Sequence, residues 1–481
     1  MTSLVMLRAE STGDGLAPFD PGRHMRQVAD LVAQVFASEL DTRGRSALRD
    51  MHLAGALAPF LGGMVSLALF NEALAGYVWV KRGRVVGNVT LQSLDVAGAR
   101  WRISNVAVAP EHRGQGIARS LMQAAMRHEP TPRIACMPQI CYDMALRVYA
   151  AQEGGDWLQG LARCAENPAL VYDAVIRLVE EVDCDGLRLF LPADALKIQR
   201  QGDDLVVVDP QTAERRGKLD TQGGGAFVPD RRPPPVETLA EARTRLDQMV
   251  AAVTDDKLEL LHAARQRVPS RFVASAPGGI TMNTYTELRG RQQAMIDLVE
   301  RPEFVADVMQ MQAEAIIRRA EKLLATGIDV LYIGDPAASA SLISPRHFEQ
   351  FCLPAYQTFC RQFRERILIY IHVCGKSGPI LEMLADTGAH VVEPLDPLGG
   401  VSVADAKQRI GGRVTLMGGV NTLTLANGTP DQVRAEAIHK CHEGGPQGYI
   451  LAAGDMVPPA TPLANLQALV DVARHSQWRD G

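Results

Sequence analysis

The sequence predicts an α/β protein in two parts, a (β/α)8 TIM barrel preceded by a smaller α/β domain. At 481 residues the chain is longer than one ordinary domain. From residue 132 onward, eight short apolar segments alternate with segments of helical periodicity. The first 130 residues follow a different pattern, in which strands lead through a glycine-rich turn into a helix. We therefore expect domains at residues 1–130 and 131–481.

The barrel prediction depends on the number and character of the apolar segments. Strands of a closed parallel barrel are buried on both faces, so they read as short, nearly continuous apolar runs. Each of the eight runs is followed by a helical segment, and together they would close the barrel. The runs lie in "RIACMPQI", "GLRLFL", "RFVASAP", "DVLYIGDP", "ILIYIHVCG", "HVVEPLD", "VTLMGGV" and "GYILAAGD".

A polar segment separates the second predicted strand from the third. Residues 200–242 are rich in Gly and Pro, and the alternation of strands and helices resumes in register after them. We expect an inserted hairpin and loop over the mouth of the barrel rather than a linker.

The composition argues against several classes of function. The chain is 47% hydrophobic and 22% charged, with a formal net charge of -5, so no basic excess is present to bind nucleic acid. Its eight cysteines are scattered, and the first residues do not have the order of a secretion signal. These features predict a cytoplasmic protein.

One uncharged stretch, Leu53 to Phe70, nearly reaches the length of a membrane span. Pro59 and the pair Gly62 and Gly63 interrupt it, and much of the rest is Ala and Gly. A helix that ends near Pro59, followed by a strand, explains it better than a membrane span does.

The glycine-rich turn of the first domain has the form of an anion-binding loop. It follows the strand "NVAVAP", which contains Val106 and Val108, and opens a helix with free backbone N–H groups that suit a pyrophosphate. The loop and its preceding strand and hairpin resemble the acyl-CoA site of the GNAT-type N-acetyltransferases. The loop residues that carry the resemblance are Arg113, Gly114, Gln115, Gly116, Ile117 and Ala118.

This resemblance implies acetyl-CoA binding through Val106, Val108 and the loop, but it covers only about a quarter of the chain. A complete acetyltransferase would continue with further strands and a Tyr that protonates the leaving thiolate. Tyr149 could take that role only if the segment after Pro132 left the barrel, so we assign this segment to the barrel. Two alternatives stay open: an ordinary turn, or a shortened fold that serves as a docking surface or a homodimer contact.

Polar side chains gather where the predicted barrel strands end, which is where active sites of such barrels lie. His372 and Cys374 point the same way because they are two residues apart on a strand. Asp335, Glu393 and Asp455 follow neighbouring strands. An imidazole, a thiolate and a carboxylate form a three-ligand zinc site with one open position. The alternative is a hydrogen-bonded core histidine beside a small buried cysteine.

Four motifs follow one another in order in the second part of the chain: "SPRHFEQFCLPAY", "IHVCGKSG", "LMGGVNTLTLANGTPDQV" and "GYILAAGDMVPPATPLANLQALV". Through these motifs this part resembles the uroporphyrinogen decarboxylase superfamily, and within it the zinc-dependent methyltransferases of corrinoid systems. The likeness covers about 350 residues.

The chain departs from both branches of this superfamily. Its decarboxylases hold propionates with an Arg-rich stretch, of which only Arg133 and Arg147 are present here. Its methyltransferases have a second Cys before "PP.TP", where this chain has Asp455. Porphyrinogen decarboxylation is therefore disfavoured, and the resemblance implies a zinc site that is poorer in thiolate.

The resemblance implies a specific chemistry and specific ligands. His372, Cys374 and Asp455 would bind zinc, with Glu393 or Asp335 as a fourth ligand or base. The zinc would activate the thiol of a small acceptor for methylation by a corrinoid donor. A corrinoid carrier protein is the partner that this chemistry implies. A decarboxylase-like or binding barrel beside an active acetyltransferase domain is the alternative.

Overall fold

The computed structural model describes residues 15–18, 21–35, 74–93, 101–108, 134–152, 156–221, 225–445 and 447–475. The described residues form two compact units, one within residues 15–108 and the other within 134–475. The predicted boundary near residue 130 falls between them. The acyl-CoA loop at 113–118, Arg133, the strand predicted at residues 5–8 and the uncharged stretch at 53–70 lie outside the described residues.

The first unit contains a four-stranded antiparallel sheet with one described helix. Its strands are β1 Gly15–Pro18, β2 Leu74–Lys81, β3 Arg84–Ser93 and β4 Trp101–Val108, in the order β1-β2-β3-β4. Arg82 and Gly83 both have positive φ and form the tight turn between β2 and β3. Helix α1, Pro21–Val35, buries Met25, Val28 and Val32 at helical spacing.

The second unit is the predicted barrel, confirmed by an eight-stranded parallel sheet among the described residues. The sheet runs in the order β5-β16-β15-β14-β13-β12-β11-β6. All eight predicted apolar runs supply a strand. The strands are β5 Ala135–Cys136, β6 Gly186–Arg188, β11 Phe272–Ser275, β12 Val330–Gly334, β13 Leu368–His372, β14 Val391–Leu395, β15 Thr415–Val420 and β16 Tyr449–Ala453.

Helices cover the outside of the barrel and make its connections. The helical segment predicted after the first strand contains two helices up to Glu166, α2 and α3. The helices are α2 Tyr142–Gln152, α3 Trp157–Glu166, α4 Ala169–Val182, α5 Leu239–Ala251, α6 Asp255–Arg267, α7 Met282–Arg289, α8 Arg291–Glu300, α9 Pro302–Leu324, α10 Pro345–His347, α11 Leu353–Phe363, α12 Leu381–Ala385, α13 Val403–Ile410, α14 Thr422–Asn427, α15 Pro430–Gly444 and α16 Leu463–His475. A π-helical turn, Phe348–Cys352, joins α10 to α11. No helix among the described residues is long and apolar enough to cross a membrane.

The insertion after β6 is a larger structure than the predicted hairpin. It forms a second antiparallel sheet of β7 Lys197–Gln201, β8 Asp204–Val208, β9 Arg215–Leu219 and β10 Phe227–Pro229. The sheet rests on helix α3, where the Trp157 ring nitrogen donates to the Thr221 carbonyl over 3.2 Å. Strand β8 is buried continuously from Leu205 to Val208, as expected for a strand that pairs with a neighbour on each side.

The amino ends of two barrel strands are held by side chains that bond the backbone of a neighbouring strand. Asp185, just before β6, accepts from the Cys136 N–H at 2.9 Å and donates its own N–H to the Cys136 carbonyl at 3.0 Å. This pair of bonds connects the first strand to the second and closes the barrel. Asp329, just before β12, bonds the N–H and carbonyl of Val273 in the same way, at 2.9 Å each.

Inside the barrel, side chains at every second strand position form one apolar core. Met137, Phe272, Leu368 and Ile450 belong to it, together with Tyr370. This alternation places the next inward positions of each strand at the carboxyl end, above the core.

We predict that Asp329→Ala lowers the free energy of unfolding of the barrel by about 3–5 kcal/mol, because it leaves the Arg265 guanidinium buried without its carboxylate. The two groups lie 3.3 Å apart, with side chains 4% and 0% exposed. Denaturant unfolding monitors the change. The matched control is Asp247→Ala, which breaks an ion pair with Arg318 that is about half exposed, and should cost less than about 1 kcal/mol. Equal losses in the two variants would contradict the account of the buried pair.

Candidate metal centre

His372 is the last residue of strand β13, and Cys374 follows it two residues later. The Asp335 N–H donates to the His372 carbonyl, and the Val373 N–H donates to the Glu393 carbonyl, each at 2.9 Å. Backbone hydrogen bonds to the two neighbouring segments therefore continue past the end of β13 to Val373, the residue before Cys374. Gly375 then turns the chain with φ +81°, where a Cβ atom would lie 2.8 Å from the Ser341 hydroxyl oxygen.

The structure brings His372, Cys374 and Asp455 together at the carboxyl end of the barrel. One potential ligand atom from each residue lies within 4.8 Å of the other two. The His372 Nε2 atom is 3.7 Å from Asp455 Oδ1. The imidazole is buried, whereas the Asp455 side chain is 34% exposed and lies on the accessible side of the cluster.

The position of the His372 ring is set from below by a buried carboxylate. Its Nδ1 atom lies 2.6 Å from Glu393 Oε2, and the Glu393 side chain is 0% exposed. A carboxylate only accepts hydrogen bonds, so Nδ1 carries the proton and the Nε2 lone pair points to Cys374 and Asp455. Metal-binding histidines are held in this way by a second hydrogen bond.

Arg188 holds the other oxygen of Glu393. Its Nη2 atom lies 3.1 Å from Glu393 Oε1, and its Nε donates to the Tyr370 hydroxyl over 2.7 Å. The guanidinium also lies over the Tyr332 ring, 4.4 Å from its centroid. Glu393 is thus a positioning residue in this structure, with one oxygen on His372 and the other on Arg188. Its predicted role as ligand or base stays a prediction.

Asp335 lies beside the end of β13, where its N–H bonds the His372 carbonyl, but its carboxylate bonds residues at the start of α7. It accepts from the N–H and the hydroxyl of Thr281 at 2.7 and 2.6 Å, and from the Asn283 N–H at 2.7 Å. Burial raises the pKa of Asp335, and these bonds oppose the rise. The described contacts give Asp335 a role in holding this loop, and its predicted catalytic role has no contact that supports it.

Arg188 is the member of the site that the sequence interpretation missed. It lies in "GLRLFL", where a single charge interrupts a strand predicted to be buried on both faces. Because an unpaired buried charge is costly, that position already indicated a buried acidic partner. The sequence does not say that the partner is Glu393, which lies 205 residues away.

The cluster offers one nitrogen, one sulfur and one carboxylate oxygen, which are all ligand types that zinc binds in proteins. Ligand atoms of a tetrahedral zinc site lie roughly 3.3–3.8 Å apart. The His372 and Asp455 atoms, 3.7 Å apart, are within this range, and all three atoms lie within 4.8 Å of one another.

Val106 and Val108, predicted to contact acetyl-CoA, lie in β4 of the other unit.

Negative groups crowd the cluster and act on one another. Burial and the neighbouring Asp455 carboxylate raise the pKa of the Cys374 thiol to about 12. Burial, and to a smaller extent Asp455, also raises the pKa of Asp396, whose carboxylate accepts from the Leu398 N–H. A divalent cation among these groups would relieve both effects.

The comparisons with known proteins define the class of this barrel. The model of the uroporphyrinogen decarboxylase (URO-D) family matches residues 228–476. The chain belongs to this family, as its resemblance predicted. The acetyltransferase (GNAT) family model matches residues 46–140, in the region where that resemblance was found.

Individual relatives include both methyltransferases and decarboxylases. A methylcobamide:CoM methyltransferase, MtaA of Methanosarcina barkeri, is 34% identical over 173 residues, which are 36% of this chain and 49% of that protein. The uroporphyrinogen decarboxylase of Cupriavidus necator is 27% identical over 338 residues, 65% of this chain and 85% of that protein. The chain thus spans about half the length of the methyltransferases that it matches.

A solved structure of a methyltransferase from Methanosarcina mazei has the same fold. It superposes with a TM-score of 0.56 at 23% sequence identity, over 74% of this chain and 98% of that one.

We predict that Asp455→Asn speeds the alkylation of Cys374 in protein freed of divalent ions by chelation. The wild-type thiol stays protonated up to pH values near its raised pKa of about 12. Removing the Asp455 charge lowers this pKa, so more thiolate is present at pH 8–9. Iodoacetamide labelling followed by peptide mass spectrometry gives the rate at Cys374. Asp431→Asn, at an exposed carboxylate beside Arg434, is the control, and equal rates in both variants would contradict the coupling.

Proposed function

We propose that the chain is a zinc-dependent methyltransferase, which transfers a methyl group between a corrinoid or similar donor and a small acceptor. The observation that carries the proposal is the convergence of His372, Cys374 and Asp455 at the carboxyl end of the barrel. The names of the relatives add support, because several of them are methylcobamide:CoM methyltransferases.

The three residues would hold zinc with one nitrogen, one sulfur and one oxygen, leaving a fourth position for the acceptor. Zinc in such a site supplies a Lewis acid that lowers the pKa of a coordinated thiol. Asp455 would replace a thiolate ligand by a carboxylate, which is a harder ligand with a weaker hold on zinc than sulfur. The partly exposed position of Asp455 favours the accessible side of the cluster as the entry for substrate.

The protein's own groups prepare the site for this chemistry. Glu393 accepts a hydrogen bond from Nδ1 of His372, which leaves Nε2 as the nitrogen available to bind a metal. Arg188 balances the charge of Glu393 inside the barrel. Tyr332, which packs edge-on against the imidazole with ring centroids 5.7 Å apart, limits the ring to one orientation.

The arrangement of arginines supports methyl transfer over porphyrinogen decarboxylation. A substrate with several propionates needs cations that are free to bind it. Arg147 lies in helix α2 with its guanidinium 4.2 Å from the centroid of the Trp157 ring. Arg188, in the barrel interior, is already engaged by Glu393 and Tyr370. A decarboxylase-like barrel is therefore the less favoured alternative.

We expect protein produced with zinc to contain about one zinc ion per chain, and His372→Ala to lose it. Elemental analysis gives the zinc content. The activity is the rate of methyl transfer from methylcobalamin to 2-mercaptoethanesulfonate. The absorbance of the methyl–cobalt chromophore monitors this rate. His439→Ala is the matched control, because His439 is largely exposed on helix α15. Full zinc content in His372→Ala, or no zinc in the parent protein, would count against the proposal.

A subordinate proposal concerns the first unit, which we infer to bind acetyl-CoA through the loop at 113–118. The family match at 46–140 supports it, and it makes an acyl transfer beside the methyl transfer the second candidate activity. Strands β2 to β4 have the antiparallel order expected before such a loop. The partners that we propose for the protein are a corrinoid carrier protein and a second copy of the chain.

For this unit we expect calorimetry to detect CoA binding that Gly116→Glu abolishes, because a carboxylate at the loop repels the pyrophosphate and blocks its approach to the backbone. Arg84→Glu, at the exposed first residue of β3, introduces the same side chain as a control. CoA binding that survives Gly116→Glu, or is absent from the parent, would exclude the acetyltransferase interpretation.

A further inference from the structure

Tyr332 is an inward-facing tyrosine of β12 whose hydroxyl the fold does not use. In the register of β12 and β13, Tyr332 pairs with Tyr370, and Gly334 pairs with His372. Tyr370 belongs to the apolar core and Tyr332 packs against that core, so both rings point into the barrel. Among the described residues, the Tyr332 hydroxyl makes no hydrogen bond, and it retains accessible surface. The hydroxyl is therefore available to a ligand.

The hydroxyl lies at the level of His372, because the Tyr332 side chain leans along its strand towards the carboxyl end. A Cβ atom built on Gly334 would lie 2.5 Å from the hydroxyl oxygen and 2.9 Å from the ring carbon that carries it. The hydroxyl thus occupies the space that an inward side chain at position 334 would fill. Because Gly334 pairs with His372, this space is next to the imidazole, whose ring centroid is 5.7 Å from that of Tyr332.

Packing on several sides fixes the Tyr332 ring and with it the direction of the hydroxyl. The Phe190 ring stacks on it with centroids 5.6 Å apart, and the Tyr370 ring is tilted against it at 4.9 Å. The Arg188 guanidinium lies 4.4 Å from its centroid. A side chain held in this way loses little conformational freedom when its hydroxyl binds a ligand, so the hydrogen bond contributes more of its free energy to binding.

The charges of the candidate metal centre reach the Tyr332 hydroxyl. Burial has the largest effect and raises the pKa of Tyr332; Arg188 lowers it, and Glu393, Cys374 and Asp455 raise it. A ligand at the open position of a metal held by the cluster lies beside Cys374 and Asp455, and therefore on the side of this hydroxyl. A phenol donates a hydrogen bond, and a thiolate accepts one.

We propose that Tyr332 is a substrate-binding residue, whose hydroxyl donates a hydrogen bond to the sulfur of the thiol that occupies the open position of the metal. This inference rests on the proposed methyl transfer and adds a contact with the reacting atom. Asp455 is 34% exposed and lies on the accessible side of the cluster. The tail of the thiol extends to that side, so the sulfur is the part of the thiol that faces Tyr332.

Thiol binding to the full-length protein loaded with Co²⁺ in place of zinc tests this contact without turnover. A second sulfur ligand increases the sulfur-to-cobalt charge-transfer absorption that Cys374 gives. Titrations with 2-mercaptoethanol and 2-mercaptoethanesulfonate give the Kd of two thiols that share the sulfur and differ in the tail. We expect Tyr332→Phe to raise both Kd values by about tenfold, the effect of one hydrogen bond to a charged sulfur. The Co²⁺ content should equal that of the parent.

The two thiols separate a contact with the sulfur from a contact with the tail. Lys376, exposed two residues after Cys374, is a cation that can act on the sulfonate but not on the neutral alcohol. Tyr149→Phe is the matched control, because it removes a hydroxyl from a ring that also lies under a guanidinium. The Arg177 guanidinium is 4.9 Å from the centroid of the Tyr149 ring, on helix α2. This variant should bind both thiols as the parent does.

A second readout needs neither metal nor thiol. Because the Tyr332 hydroxyl has no hydrogen bond to lose among the described residues and the ring is kept, metal-free Tyr332→Phe should melt within about 2 °C of the parent. A structural role of the hydroxyl would instead lower the melting temperature.

The outcomes separate the two proposals. No bound metal in the parent, or no spectral change with either thiol, would contradict the proposed function, and this inference with it. Unchanged Kd values in Tyr332→Phe, a loss confined to the sulfonate, an equal loss in Tyr149→Phe, or a melting temperature of Tyr332→Phe several degrees below the parent would overturn the inference about Tyr332 alone.

Discussion

The buried chain of Arg188, Glu393 and His372 is the interaction on which the site depends. The Glu393 side chain has no exposed surface. Arg188 and His372 bond its two oxygens, and these bonds offset the free-energy cost of burying a carboxylate. These three hydrogen-bonded side chains connect β6 to β13 and β14 through the interior of the barrel. Strand β6 is the last strand in the sheet order and does not pair with β13 or β14 directly. The network therefore holds the His372 ring with Nδ1 on Glu393 and Nε2 on the side of Asp455.

Above this chain, the site is built from groups that repel one another in the absence of a cation. The Asp455 carboxylate raises the pKa of Cys374 and contributes to that of Asp396. Within the network itself, each charged group has a hydrogen-bond partner: the Arg188 guanidinium bonds the Glu393 carboxylate, which bonds the His372 imidazole. This division between a satisfied lower layer and an unsatisfied upper layer is typical of a ligand site on a rigid scaffold.

The sequence predicted the barrel and the three clustered residues because both depend on local patterns. Apolar runs bounded by turn residues marked the strands, and the two-residue spacing of His372 and Cys374 implied a shared direction. The roles of Glu393 and Asp335 depend on distant partners, so the sequence could not distinguish them: Glu393 bonds His372 21 residues away, while Asp335 bonds Thr281 54 residues away. The four-stranded insertion exceeded its predicted hairpin, because β9 and β10 are short and mostly exposed and lack a strong strand pattern.

The most direct test of the account is a crystal structure of the zinc-loaded protein with anomalous scattering measured on both sides of the zinc absorption edge. The account predicts one strong anomalous peak about 2.0–2.3 Å from His372 Nε2 and Cys374 Sγ, with an Asp455 oxygen as the third protein ligand and the Nδ1 bond to Glu393 intact. A peak elsewhere on the chain, or a His372 ring turned so that Nε2 no longer faces Cys374 and Asp455, would contradict it.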